Sequence, residues 1–594
     1  MAIMNNLAKW CDAAFWPVAA AFLAAALALA AVNQSAGTPD SQHNLDAARN
    51  LLLGRGFQSN IVPQLFEPQP LPGPETIRPP GIPYLMAGLF WLFGISLRVQ
   101  VVLNAATIGL SAWLLRWAVR TAGGDRFASA AGIFVFLSGN YELQSLWNNN
   151  LLVLCTIGLL CLAAKAAGAA NGTAGKPARY TISSSPIILH LSSSTLPPLS
   201  LALIAAAGFL LKPTFVVTAV PFAAILLYQT AGQLDGGAVG RWARLRTSAT
   251  WFTGFLTLVA ALTAPYWVHN RAVFGTPVYS PQTASRLSLH FDNAPYGYSY
   301  TMRWDDPESM QELVDQFGMG WVLHREMAAW GRIAYFVARL NVPIVLLAIG
   351  ALVMAPPARR WNDYLLPLAA MAEPVFASWY HHAEFRYLWP VYPCCLYLVG
   401  LAARDWSVAG GLARRGDCSA SGDAPAIPAY PATTGRGFMG GALPVALLLL
   451  AVAFGLHHAR VPWAQGFAQA LEPPPAWAAL VQAIPDDAVV MTDNPYAVAW
   501  YSQRKAICCP GGPREHLLRV VNCYRPTFFL HTGAVKNRRM HGRLAFDDGE
   551  LQPIASGPAP PHSGRWEFCT LEIRPAEALA TDAARKINPP KSLR

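Results

Sequence analysis

The chain has 594 residues, of which 54% are hydrophobic and only 13% carry charge. Soluble domains carry about 25% charged residues, so a single soluble globule of this size is excluded for want of a charged shell. A disordered chain, a collagen and a small disulfide scaffold are excluded too, which leaves an integral membrane protein with extra-membrane parts. The net charge is +11, but the Lys and Arg residues are scattered between apolar runs. That is the positive-inside bias of membrane loops, not a nucleic-acid surface.

In chain order, the first apolar run covers 15–32, is uncharged and is long enough to cross a bilayer. Lys9 before it is offset by Asp12, a weak n-region that predicts an uncleaved signal anchor. Further apolar runs cover 101–118, 127–137, 151–164, 199–211, 214–228 and 251–268, then 340–355, 364–380, 388–403 and 442–456. The reading is an α-helical polytopic membrane protein with about 11 transmembrane helices. The apolar segment 81–94 is too short to span, so it is expected to lie in the outer interface or to be re-entrant.

The connections alternate in basic content. One set holds Lys9; Arg120 and Arg126; Lys165, Lys176 and Arg179; Arg241, Arg244 and Arg246; Arg359 and Arg360; and Arg404, Arg414, Arg415 and Arg436. It is nearly free of acids and is assigned to the cytoplasm. The other set comprises 33–100, 138–150, 269–339, 381–387 and everything after 457. It faces outward, and the C-terminus with it. Stretches 167–198 and 410–441, rich in small residues and Pro, read as cytoplasmic linkers.

The character changes near 465, which divides the chain into a membrane part, 1–464, and an extra-membrane part, 465–594. Helices are expected at 475–484, 494–502 and 514–521, and strands at 488–491, 505–509, 527–531 and 566–573. This alternation argues for a small C-terminal α/β domain on the external side, with Asp493 capping the second helix. Cys508, Cys509, Cys523 and Cys569 lie there, where disulfides can persist, and the sequence does not choose among three connectivities.

The first external loop, 33–100, is the most unusual stretch. Asp40 stands just after the first span. Leu45, Ala48, Leu51 and Leu52 recur at helical spacing, so 46–53, with Asp46 at its start, is expected to be an interfacial helix. Arg78-Pro79-Pro80-Gly81-Ile82-Pro83 closes the loop. On the residues alone, Asp40 reads as well as a helix-capping carboxylate as a reactive one, and the Arg78 turn as a rigid entry into the membrane.

Several motifs occur in a consistent order on one side of the membrane. Asp40 is followed by Ala48-Arg49-Asn50-Leu51-Leu52-Leu53-Gly54-Arg55-Gly56-Phe57 and the Arg78 turn. Pro265-Tyr266-Trp267-Val268-His269-Asn270-Arg271 precedes Phe274-Gly275-Thr276-Pro277-Val278, and Glu384-Phe385-Arg386-Tyr387-Leu388-Trp389-Pro390 precedes a late span. In the tail stand Asp493-Asn494-Pro495, Trp500-Tyr501 and Arg504. Together these resemble the GT-C glycosyltransferases, multi-span enzymes that use lipid-phosphate sugars, such as the aminoarabinose transferases of lipid A and the protein O-mannosyltransferases.

The resemblance implies a polyprenyl-phosphate-linked sugar donor, an inverting transfer at the periplasmic face of a bacterial inner membrane, and a glycan, lipid or protein acceptor. A lipid-phosphate leaving group needs cations, and Arg suits it through its planar fork of donors. Arg78, Arg271 and Arg386 fall at outer membrane boundaries, and Lys212 lies deeper, with Glu384 and Tyr387 beside Arg386. Asp40 is implied as the general base, or else as a ligand of a divalent cation. Glu142 and Asp46 are the further acids near it. Where the family carries a second acid, this chain has Asn148-Asn149-Asn150, which weakens a metal role. His381, His382 and Glu384 have metal-ligand chemistry, but neighbouring His residues on a helix diverge. The competing readings are a transporter or flippase for a lipid or small anion, and a non-catalytic membrane scaffold.

Overall fold

The computed structural model describes residues 2–62, 71–75, 78–137, 143, 148–172, 196–234, 241–277, 314–315, 318–354, 363–380, 388–416, 442–471, 474–509, 514–532, 546, 549–559 and 564–573. These are mostly helical. The amino-terminal helices are α1 (Ala2–Val32), α2 (Pro39–Leu52), α3 (Gly81–Phe93), α4 (Leu97–Thr121), α5 (Asp125–Leu137) and α6 (Asn148–Gly172). They are followed by α7 (Leu196–Leu211), α8 (Val216–Leu234), α9 (Arg241–Phe274) and α10 (Met319–Met354). Then come α11 (Leu365–Ala370), α12 (Ala372–Tyr380), α13 (Val391–Gly416) and α14 (Ala442–Ala470).

Helices cover most of each apolar run, but they are not alike. Among the described residues, five helices are long and apolar enough to cross a membrane, or six if one sharply bent pair is a single span. Six shorter apolar helices accompany them. The bend lies in α10, where Asn341 is extended (φ −176°, ψ 95°). Pro343 lacks an N–H, and Asn341 restarts the helix by accepting from the Ile344 N–H at 3.3 Å while donating to the Ala451 carbonyl.

The loop after α1 departs from expectation. Its helix starts earlier, at Pro39, with Asp40 in the first turn and Arg49 in the last, charges that suit the helix dipole. It is not interfacial: Ser41 through Asn50 are all buried. So polar a helix is tolerated inside because its side chains find partners. Ser41 donates to Gln100 Oε1 of α4 at 3.0 Å, and Gln100 in turn donates to the Ser35 carbonyl.

The tail supplies the cover. Short helices α15 (Trp477–Gln482), α16 (Pro495–Ser502) and α17 (Arg514–Tyr524) alternate with strands. The first loop contributes β1 (Gln58–Ser59), β2 (Ile61–Val62) and β3 (Gly73–Pro74); the tail contributes β4 (Val489–Thr492), β5 (Lys505–Cys508), β6 (Phe528–His531), β7 (Leu551–Ala559) and β8 (Gly564–Leu571). One six-stranded sheet runs β2-β5-β4-β6-β8-β7. Its first four strands are parallel, with Ile61 opposite Ala506 and Val62 opposite Ile507, and β8 and β7 are antiparallel. The first loop therefore lends a strand to the tail. Asp493 does not cap α16; Asn494 does, accepting from the Ala497 N–H at 3.2 Å. Asp493 instead ties β4 to β6 by accepting from the Thr532 N–H.

Candidate active site

The first turn of α2 and the Arg78 turn meet. Arg78 Nη2 donates to Asp40 Oδ1 at 2.5 Å, and its Nε donates to His43 Nδ1 at 3.2 Å. Asp40 and His43 lie one helical turn apart, so they share the face that meets the guanidinium. The other ring nitrogen, His43 Nε2, lies 2.7 Å from Glu75 Oε2, and both side chains are 1% exposed. Glu75 Oε1 accepts from the Arg78 backbone N–H at 2.8 Å. The tail closes one side, with the Tyr496 ring 5.6 Å from that of His43. Burial opposes the charge on Arg78, but Asp40, Tyr496 and Glu75 outweigh it and hold the guanidinium above its ordinary pKa.

Two contacts bring other helix ends to this turn. Gly81 at the start of α3 packs on the end of α7 so closely that a Cβ would lie 2.8 Å from the Leu210 carbonyl oxygen. That brings Lys212, the residue after α7, beside the Arg78 turn. Lys212 Nζ is 2.8 Å from Glu373 Oε1 of α12, which also accepts from Thr214. The Phe57 ring lies 5.7 Å from Tyr84 of α3 and 5.9 Å from His269 of α9. Arg271, two residues beyond His269, is exposed at the C-terminal end of that helix. Asp40 and Arg78 are in direct contact, the turn that carries Arg78 packs on the end of α7 that precedes Lys212, and Arg271 follows His269, whose ring meets that of Phe57.

Asp46 is differently occupied. It is wholly buried, bound to Arg49 at 2.7 Å and accepting from the Asn60 backbone N–H at 2.8 Å and from Asn60 Nδ2 at 3.0 Å. Arg49 donates onward to the carbonyls of Ala499 and Trp500 at 2.7 and 3.0 Å, with its guanidinium over the Trp500 ring. Asp46 therefore holds the loop to the tail. In the Asn triplet, Asn150 donates to Asn104, which donates to the Leu143 carbonyl. Tyr501 accepts from the Ala36 N–H, and Arg504 binds the carbonyls of Gln482 and Ile484. No disulfide joins the described cysteines. Glu142, His381, His382, Glu384, Arg386 and Tyr387 lie outside the described residues.

The sequence reading missed His43, Glu75, Glu373 and Tyr496. His43 three residues after Asp40, and Glu75 three before Arg78, were legible as spacings; Glu373 meets Lys212 only through the fold. Among the described residues, no group of three or more His, Cys, Asp or Glu side chains could hold a metal ion. Asp40 faces a guanidinium, and Glu75 faces His43. Among the described residues this donor set does not fit a divalent cation.

No protein-family model matches the sequence, and no curated protein matches it. Solved structures do. Archaeal oligosaccharyltransferase AglB from Archaeoglobus fulgidus, in complex with an inhibitory peptide and a dolichol-phosphate, matches with a TM-score of 0.51 at 11% identity, over 95% of this chain and 74% of that one. The Archaeoglobus fulgidus oligosaccharyltransferase tethered to an acceptor peptide containing the NVT sequon gives 0.50 at 12% identity, over 87% and 68%. ArnT from Cupriavidus metallidurans bound to undecaprenyl phosphate gives 0.48 at 15% identity, over 95% and 99%. The likeness is one of fold, shared with the archaeal oligosaccharyltransferase AglB.

Proposed function

We propose that this chain is an inverting glycosyltransferase that moves a sugar from a polyprenyl-phosphate donor to an acceptor at the periplasmic face of a bacterial inner membrane. The observation that carries the reading is the Asp40–Arg78 pair, 2.5 Å apart, at the turn packed on the Lys212 end of α7. An acid and clustered cations at a helix-end boundary suit a lipid phosphate. The AglB structure of the same fold, itself a complex with a dolichol-phosphate, supports it. In this reading residues 1–464 form the membrane part with about 11 spans, in which short apolar helices join the long ones. Residues 465–594 form a periplasmic α/β part that covers the first loop.

The chemistry follows from the residues. The acceptor hydroxyl attacks the anomeric carbon and Asp40 takes its proton. The bond from that carbon to the phosphate oxygen breaks, and the electron pair leaves with the lipid phosphate. Arg78, Lys212 and Arg271 stabilise the departing charge. Arg78 Nη1 has no hydrogen-bond partner among the described residues, so the guanidinium can meet a phosphate while its other nitrogens stay engaged. Glu142, Glu384, Arg386 and Tyr387 are further candidates of the same site; Asp46 is left to its structural contacts.

A second reading, a flippase for a polyprenyl phosphate or another anion, draws support from the buried Lys212–Glu373 pair, since transporters keep ion pairs inside the membrane part. Purified protein in nanodiscs, given undecaprenyl-phosphate-linked sugars and candidate acceptors, separates the two. The transferase releases free undecaprenyl phosphate and glycosylated product. Translocation of the lipid across a sealed vesicle without release would overturn the transferase reading.

A further inference from the structure

The structure assigns His43 and Glu75 as positioning residues that set the orientation of the Arg78 guanidinium; the inference rests on the reading of Arg78 as a ligand of the donor phosphate. Arg78 is always protonated, so its Nε brings a hydrogen to His43 Nδ1, and that nitrogen must offer a lone pair. The opposite nitrogen, Nε2, lies 2.7 Å from a carboxylate oxygen of Glu75. Two lone pairs would repel at that separation, so the proton of the neutral imidazole sits on Nε2. Glu75 thereby selects the one tautomer that can receive Arg78.

The same carboxylate acts on the Arg78 backbone, because Oε1 accepts from its N–H at 2.8 Å. Glu75 thus fixes both the main chain that carries Arg78 and the imidazole that meets its side chain. The guanidinium is planar, so holding Nε against His43 and Nη2 against Asp40 Oδ1 fixes the plane and leaves the Nη1 corner as the one turned to a ligand. His43 and Glu75 are 1% exposed on their side chains, which removes water as a competing partner. The charged and titratable groups facing the imidazole are Arg78, Glu75 and, across the tail contact, Tyr496; Asp40 is reached through Arg78.

The two nitrogens of His43 can be tested separately. Asn reproduces the position of Nδ1 and offers an acceptor there, but cannot reach Glu75. Gln reproduces the position of Nε2 and offers Glu75 a donor, but leaves Arg78 Nε without its acceptor. If His43 acts through Arg78, H43N keeps most of the affinity for undecaprenyl phosphate and H43Q loses about tenfold or more, the scale of one hydrogen bond to a charged group. If His43 merely satisfies buried Glu75, the order reverses.

The experiment measures undecaprenyl phosphate binding to the full-length protein in nanodiscs for wild type, H43N, H43Q, E75Q and R78A. It adds the double variants H43Q/R78A and E75Q/R78A, with thermal unfolding of each as a folding control. The expected result is that H43Q and E75Q weaken binding in the wild-type background and change nothing further once R78A has removed the guanidinium. Additive losses in the double variants, or H43Q binding better than H43N, would overturn the positioning role while the functional reading stands. Wild type that binds no undecaprenyl phosphate would overturn the functional reading, and this inference with it.

Discussion

The ammonium of Lys212 and the carboxylate of Glu373 lie 2.8 Å apart with 13% and 2% of their side chains exposed, and the pair pins the entry of α8 to the start of α12. Thr218 adds to the clamp by accepting from the Glu373 N–H. Removing one partner of such a pair strands the other charge, so Glu373→Ala is expected to cost about 3–5 kcal/mol, while Lys212→Met combined with Glu373→Met recovers most of it. Thermal unfolding in detergent reads both. The folded double variant should bind undecaprenyl phosphate weakly. Wild-type affinity in that variant removes Lys212 from the donor site.

Arg49 is the corresponding clamp between the first loop and the tail. It joins Asp46 to the carbonyls of Ala499 and Trp500. Arg49→Ala leaves a wholly buried carboxylate without its cation and is expected to destabilise by about 3–5 kcal/mol. Arg49→Lys recovers only part, since an ammonium cannot form the planar fork. Limited proteolysis should cut the tail faster in the Ala variant; unchanged cleavage with unchanged unfolding would refute the clamp.

Gly81 tests whether the Arg78 turn and Lys212 work together. A methyl group there meets backbone, 2.8 Å from Leu210 O and 2.9 Å from its carbon, and backbone cannot swing aside. Gly81→Ala is expected to cost about 1–3 kcal/mol by overpacking and to raise the donor KM by spreading the two cations. Gly88→Ala on the same helix, where a Cβ meets nothing within 4 Å, is the control. Equal donor KM values in the two variants would sink the idea.

The membrane character was legible because apolar runs and basic loops are one-dimensional signals, and the helices lie where those runs lie. Most tail elements were legible for the same reason, since β4, β5 and β6 are short β-prone segments, but β7, Leu551–Ala559, was not expected. β2 was not: two residues, Ile61 and Val62, carry no periodicity, and only pairing with Ala506 and Ile507 makes them a strand. The burial of α2 was misjudged because its polar residues read as a solvent or lipid-boundary face, whereas Asn60, Gln100 and the Trp500 carbonyl satisfy them from elsewhere in the chain. At the candidate site, Asp40 and Arg78 were singled out by pattern, and His43 and Glu75 stand at legible spacings from them, while Glu373 meets Lys212 only through the fold.

Burial pushes the thiols of Cys508 and Cys509 well above the ordinary 9.0, with Asp493 adding to the effect at both and Cys509 at Cys508. The folded state therefore keeps protons that the unfolded state gives up once the pH passes about 9. Stability from these groups is fully present below that pH and falls as the pH rises above it. The urea midpoint of the tail transition should drop between about pH 9 and 10.5, and Cys508→Ala with Cys509→Ala should flatten that drop. A midpoint that falls as steeply without the two thiols would assign the alkaline loss to other groups.

Asp40→Asn separates catalysis from binding at the proposed site. The amide keeps the shape of the carboxylate and still offers Arg78 an acceptor oxygen, so the guanidinium should stay near its place. What is lost is the capacity to take a proton from the acceptor hydroxyl. General-base catalysis is worth about 10²–10⁴-fold, so turnover should fall by that order while undecaprenyl phosphate affinity changes little. If the carboxylate instead competes with the donor phosphate for Arg78, neutralising it should tighten donor binding, which moves affinity the other way from a lost contact. A purified Asp40→Asn protein that retains more than about a tenth of wild-type turnover cannot have lost its principal base. The search would then pass to Glu142, the acid of the next outer loop.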